Sequence, residues 1–199
     1  MRRYCFVCAV AAVPWLVGCS LLLPPKSEPM TAILNKVPDH VPIRAALPAT
    51  LLVHLPETSA AYDTTRMAYS VKSYQLAYFR DNQWAGTPAQ MIHPLLVRTL
   101  QQSGLFRAIL SPPESEPASY TLRTEVLELI QDYTASPPVL RLRLRVQLFD
   151  ASGRSIAGHD IVEHEAMRDA LPYAGVLAAN DAVANALREI TRFVMNSVR

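Results

Sequence analysis

The chain has 199 residues, half of them hydrophobic, with 19 Lys plus Arg against 17 Asp plus Glu. So even a balance gives no global basic field for nucleic acid. With six glycines no phosphate cradle is expected, and three cysteines do not suffice for a disulfide framework.

The N terminus carries Arg2 and Arg3, an apolar run from Tyr4 to Leu16, then Val17 and Gly18 directly before Cys19. A basic start followed by about 13 apolar residues reads as a secretory signal, because a spanning helix needs ~20. The junction Leu16-Val17-Gly18-Cys19 matches the lipobox of bacterial lipoproteins. Cleavage is therefore expected between Gly18 and Cys19, with a diacylglyceryl group on the Cys19 thiol and an N-acyl chain of the palmitate kind on its amine. Cys5 and Cys8 leave with residues 1–18, so Cys19 remains as the lone cysteine and no disulfide forms within one mature chain. Acylation also explains an otherwise unpaired thiol in an oxidising compartment. Loss of Arg2 and Arg3 leaves 17 charges of each sign.

Residues 19–48 hold Pro24, Pro25, Pro29, Pro38, Pro42 and Pro48 without sustained apolar periodicity. The composition predicts an extended tether with a reach of up to ~90 Å at ~3.1 Å per residue. Ile33, Leu34, Val37 and Ile43 are the residues able to pack on a domain, and the half nearer Pro48 is expected to be the ordered one.

Residues 49–199 are the right size for one domain with its own core. Strands are predicted at Leu51–Leu55, Arg66–Tyr69 and Tyr74–Phe79, forming a small antiparallel unit. Thr87-Pro88-Ala89-Gln90 then offers an N-cap, a proline at the first helical position and a capping-box glutamine. Met91, Ile92, Leu95, Leu96 and Leu100 follow at helical spacing, with Gly104 to close the helix and Pro94 expected to kink it. Leu105–Leu110 and Tyr120–Ile130 read as strands. Between 140 and 148 leucine and valine alternate strictly with Arg141, Arg143, Arg145 and Gln147, giving one apolar and one basic face. Asp150–Gly153 supplies a turn, Ser155–Glu165 pairs back, and Tyr173–Ser197 is a long amphipathic helix. The expected fold is α+β, a two-layer sandwich whose mostly antiparallel sheet carries both helices on one face.

No catalytic site is expected: there is no nucleophile elbow, no Walker-type loop and no helical His-x-x-x-His among the five histidines. His159, Asp160, Glu163, His164 and Glu165 lie on a strand, where neighbours point to opposite faces and cannot jointly clamp one metal ion. The arginine stripe is either a solvated face paired across strands to Asp160, Glu163 or Glu125, or a contact for acidic groups on a partner or lipid. Of the aromatics Tyr69, Tyr74, Tyr78, Phe79 and Trp84, most are expected in the core; Tyr69, Tyr74 and Trp84 are candidate partner contacts where exposed.

The stretch from Tyr74 through Tyr78, Phe79, Asn82, Trp84, Pro88, Met91, Pro94 and Leu95, followed by Ser103-Gly104-Leu105-Phe106, resembles the signature of the ABC-type transport auxiliary lipoprotein family. In that family a tyrosine-rich strand, an Asn-x-Trp turn and a Met-Leu helix ending in Ser-Gly-x-Phe occur in this order. The resemblance implies a non-enzymatic outer-membrane lipoprotein, without cofactor beyond its lipid, that works with an ABC permease and a mammalian-cell-entry (MCE) domain protein. Lipids or other hydrophobic molecules would be the cargo, and several copies could form a ring. Ser20 is not the aspartate that commonly retains lipoproteins at the inner membrane. A structural lipoprotein supporting another outer-membrane assembly is the competing expectation.

Overall fold

The computed structural model describes residues 29–113 and 117–198. The leader, the Gly18–Cys19 junction and Cys19 itself lie outside the described residues. Among the described residues nine strands and two helices follow in the order β1 Met30–Ala32, β2 Leu47–Val53, β3 Glu57–Thr58, β4 Arg66–Ser70, β5 Ala77–Trp84, α1 Pro88–Gln102, β6 Phe106–Leu110, β7 Tyr120–Asp132, β8 Val139–Asp150, β9 Ser155–Ala166 and α2 Pro172–Ser197. The class is α+β, with two helices and one large mixed sheet whose longest pairings are antiparallel.

The sheet is organised around β7. One edge pairs antiparallel with β8 from Tyr120↔Asp150 to Asp132↔Val139, and β8 pairs antiparallel with β9. The other edge is shared by three short parallel strands, β2 at its start, β3 in the middle and β4 at its end. β2 also runs parallel to β6, whereas β4 is antiparallel to β5. The expected antiparallel unit therefore contains β4 and β5 but not β2. A parallel neighbour requires a long crossover, and here the chain between β2 and β6 includes β4, β5 and α1.

Alternation fixes which face is dry. Leu140, Leu142, Leu144, Val146 and Leu148 of β8 are buried at no more than 1 % exposure, and α2 packs over β8 and β9. Burying each leucine contributes roughly 1.5–3 kcal/mol, so this row alone strongly favours one register. The alanine-rich face of α2, with Ala178, Ala179, Ala182 and Ala186 buried, lets the helix lie close to the sheet. At Gly175 the approach is closest: an added Cβ would collide with the buried Gln131 amide, which donates to Pro172 O and accepts from the Tyr133 hydroxyl.

α1 begins as the sequence leads one to expect. Thr87 Oγ1 accepts from Gln90 N at 3.4 Å, and Gln90 Oε1 accepts from Thr87 N at 3.0 Å, a complete capping box. The helix continues through Pro94, which sits on its exposed side, where water can satisfy the carbonyl that proline leaves without a donor. Gly104 follows at φ 64° and turns the chain into β6.

Three local expectations change. Tyr74 is not in a strand: it occupies the β4–β5 loop at φ 64°, and β5 starts at Ala77. Asn82 and Trp84 lie within β5 and not in a turn, and Trp84 is buried against the core. Residues 30–36, expected within the tether, are docked. β1 pairs with β5, Leu34 is 5 % exposed, and Asn180 of α2 accepts from Asn35 N and Lys36 N while donating to Ile33 O. Nearer Pro48, Ile43 stays exposed, although Arg44 donates to Met195 O at 2.6 Å. One polar side chain that satisfies three backbone groups holds residues 33–36 in place.

Candidate partner-binding face

The face of the sheet opposite the buried leucines gathers the charged candidates. It is built by the odd residues of β8 and by β7 and β9 in register with them. A β-bulge between Val126 and Glu128 reverses the alternation along β7. Arg123 and Glu125 face outward before the bulge, Glu128 and Asp132 after it.

The three stripe arginines end up in different states. Arg141 lies opposite Ile130 and reaches both diagonal neighbours, Glu128 at 2.6 Å and Asp132 at 2.8 Å. Burial works against the Asp132 carboxylate, yet the Thr134 hydroxyl and N–H, together with Arg141, hold its pKa below the usual range. Arg145 bonds Asp160 at 3.0 Å and Glu125 at 3.4 Å, and its hydrogen bond to Asp160 draws that carboxyl's pKa down. Arg143 is directly opposite Glu128, but that carboxylate turns to Arg141, and no ion pair to Arg143 forms among the described residues. On the β9 side its neighbour is Val162, itself 53 % exposed. Nearby, the Arg123 guanidinium stacks 5.1 Å from the Phe149 ring centre.

Thus the cross-strand pairing anticipated for Arg145 with Asp160 and Glu125 is present. Glu163 does not join it. Its parity places it on the helix side, where burial, then Glu189 and Glu165, push its pKa up. His159 and Glu165 share that side and bond Glu189 and Asn185 of α2.

The aromatic candidates separate in the same way. Tyr69 is half-buried, its ring 4.4 Å from Phe79 and edge-on to Tyr133. The partly buried Tyr133 hydroxyl has its pKa raised to about 12 by desolvation. Trp84 has no surface to offer a partner, which overturns its candidacy. Tyr74 is fully exposed. Arginines with periodic spacing were visible in the sequence, but the selective freedom of Arg143 was not, because it depends on the bulge. Among the described residues no cluster of three or more His, Cys, Asp or Glu could hold a metal ion, and no helix is long and apolar enough to cross a membrane.

Fold and face define an α+β domain with a charged sheet surface, anchored at its N-terminal side by a docked strand. A family model, ABC-type transport auxiliary lipoprotein component, matches residues 34–191. The chain belongs to that family, and by membership is an envelope lipoprotein serving an ABC-type transport system. Among solved structures it is similar to protein XCC0632 from Xanthomonas campestris, of the family DUF330, with 19 % identity, TM-score 0.73, and coverage of 84 % of this chain and 95 % of that one. An uncharacterised protein matches with 16 % identity, TM-score 0.66, and coverage of 83 % and 99 % respectively. Both likenesses concern the fold. No curated protein matches the sequence.

Proposed function

We propose that the chain is the lipid-anchored periplasmic auxiliary of an ABC/MCE-type system, docking the transport assembly at the outer membrane so that lipids or other hydrophobic molecules can cross the envelope. Family membership across residues 34–191 is the observation that carries this reading. Acylated Cys19 is the anchor, Ser20 favours the outer membrane, and the protein acts by binding and not by catalysis. The domain is a two-layer sandwich, helices on one side and the charged sheet face available to a partner on the other. A ring of several copies belongs to the same reading, and β9, with a strand partner on one side only among the described residues, is compatible with it.

The partner contact centres on Arg143. Reversing all three stripe arginines would set glutamates beside Glu128, Asp132, Glu125 and Asp160 and damage the fold through like-charge repulsion. Arg143→Gln alone, which removes the charge without setting a carboxylate opposite Glu128, tests the face cleanly. Capture of the MCE-domain protein by the purified lipoprotein should fall at least tenfold while circular dichroism and the melting temperature hold. Undiminished capture by the folded variant would remove the stripe from the interface.

A further inference from the structure

One end of the sheet carries exposed apolar side chains on two segments, the β4–β5 loop beside Ile130 and Arg141 and the start of α2 on the other face. In the β4–β5 loop Val71 is 59 %, Tyr74 fully and Leu76 37 % exposed; at the start of α2 Leu171 is 64 % and Tyr173 58 % exposed. The two segments belong to the same end of the sheet. Ser70 O accepts from Tyr133 N at the end of β7, Tyr69 is in register with Gln131, and the Gln131 amide donates to Pro172 O. Lys72 and Arg168 are exposed in the flanking chain. The other end of the β8–β9 hairpin is, by contrast, the polar turn Asp150–Arg154, closed on the Asp150 carboxylate.

Tyr74 is the sharpest feature of this end. Its backbone lies in the left-handed region, which an aromatic residue rarely adopts, and the result is a ring held wholly in solvent. A strained residue presenting an apolar surface to water points to something that covers it.

The path of the chain says what that is. β1 is parallel to β5, with Met30 beside Asn82, so the N-terminal end of β1 is the one facing the Ala77 end of β5, where the Tyr74 loop lies. From Cys19 to Pro29 a fully extended chain spans at most ~35 Å. Met30 stands about five residues, or ~17 Å, short of that end of the sheet. With the tether docked from Met30 onward, little length is left to hold the domain away from the lipid.

We propose that the end formed by Val71, Tyr74, Leu76, Leu171 and Tyr173 rests in the interfacial layer of the bilayer to which Cys19 is anchored. This rests on the acylation of Cys19. Tyrosine suits the headgroup level, with an apolar ring and a hydroxyl that stays hydrated, and Lys72 and Arg168 meet lipid phosphates. The contact fixes the orientation of the domain, with the long axis of β7 to β9 rising from the membrane and the polar β8–β9 turn directed into the periplasm.

The test uses the mature lipoprotein, purified from bacterial membranes and reconstituted in vesicles of phosphatidylethanolamine and phosphatidylglycerol. Nitroxide labels are placed on Tyr74→Cys, on Leu171→Cys and, as control, on Arg143→Cys. Labels at 74 and 171 should collide several-fold more often with oxygen than with a water-soluble nickel chelate, and the label at 143 should do the reverse. Labels at 74 and 171 as open to the chelate as 143, in protein that floats with the vesicles, would overturn the proposal. So would labels screened from both reagents, which would indicate cover by a second copy. Failure of the protein to float would instead refute the acylation of Cys19.

Discussion

The two edges of β7 are built by different physics. Along one, β8 and β9 follow as a meander in which each strand pairs with the next in sequence over almost its whole length. Along the other, β2, β3 and β4 each contribute a few residues in parallel, and strand partners such as β2 and β6 are separated by more than fifty residues of sequence. Alternation and turn chemistry specify the meander locally. The opposite edge takes its register from the shared core, because no short segment there can choose its partner alone.

The largest test of this difference asks whether the two sides unfold together. Leu142 on β8 and Leu51 on β2 are both fully buried in one apolar cluster. Leu142→Ala and Leu51→Ala should each cost about 2–5 kcal/mol in urea unfolding, with one transition and unchanged slope. Separate transitions for the two variants would divide the sheet at β7.

A smaller effect is expected at Gly175, where α2 crosses the end of β7. In a free helix Gly→Ala is favourable by ~1 kcal/mol. Here the new methyl would displace a Gln131 amide committed to Pro172 and Tyr133, so Gly175→Ala should destabilise by about 1–3 kcal/mol. Thermal melting of the variant gives the sign, and a rise in melting temperature would contradict the close approach.

The smallest effect sharpens the meander side. Because burial raises the Glu163 pKa above its ordinary 4.5, the native state holds this proton more tightly than the unfolded chain. The group's contribution is therefore fully present below the unfolded pKa and is lost as pH rises through the higher folded value. Glu163→Gln should stabilise the domain at neutral pH, with the gain shrinking as pH falls through the carboxylate range. A gain that persists unchanged in acid would assign the effect to something other than ionisation.

What the sequence made legible follows the same division. The Leu/Arg alternation of β8, the Asp150–Gly153 turn and the Thr87 capping box are short-range signals, and each is found where it was read. β1 escaped because three residues carry no periodicity and their strand partners, Asn82 to Trp84, are far along the chain. The aromatic cluster at 69–84 was expected to be mostly core with one or two residues exposed, but not which: the pleat buries Trp84 and a loop expels Tyr74. The arginine face was legible as a stripe but not as a site. Which arginine is left free depends on a single extra residue in β7, Leu127, whose bulge turns Glu128 and Asp132 toward Arg141.

The central claim is the identity of the partner. Cross-linking the wild-type lipoprotein in intact cells, isolating it from the envelope fraction and identifying the attached proteins tests it most directly. Recovery of an MCE-domain protein together with the ABC permease is the expected result. Recovery only of components of another outer-membrane assembly, with neither of those proteins present, would contradict it.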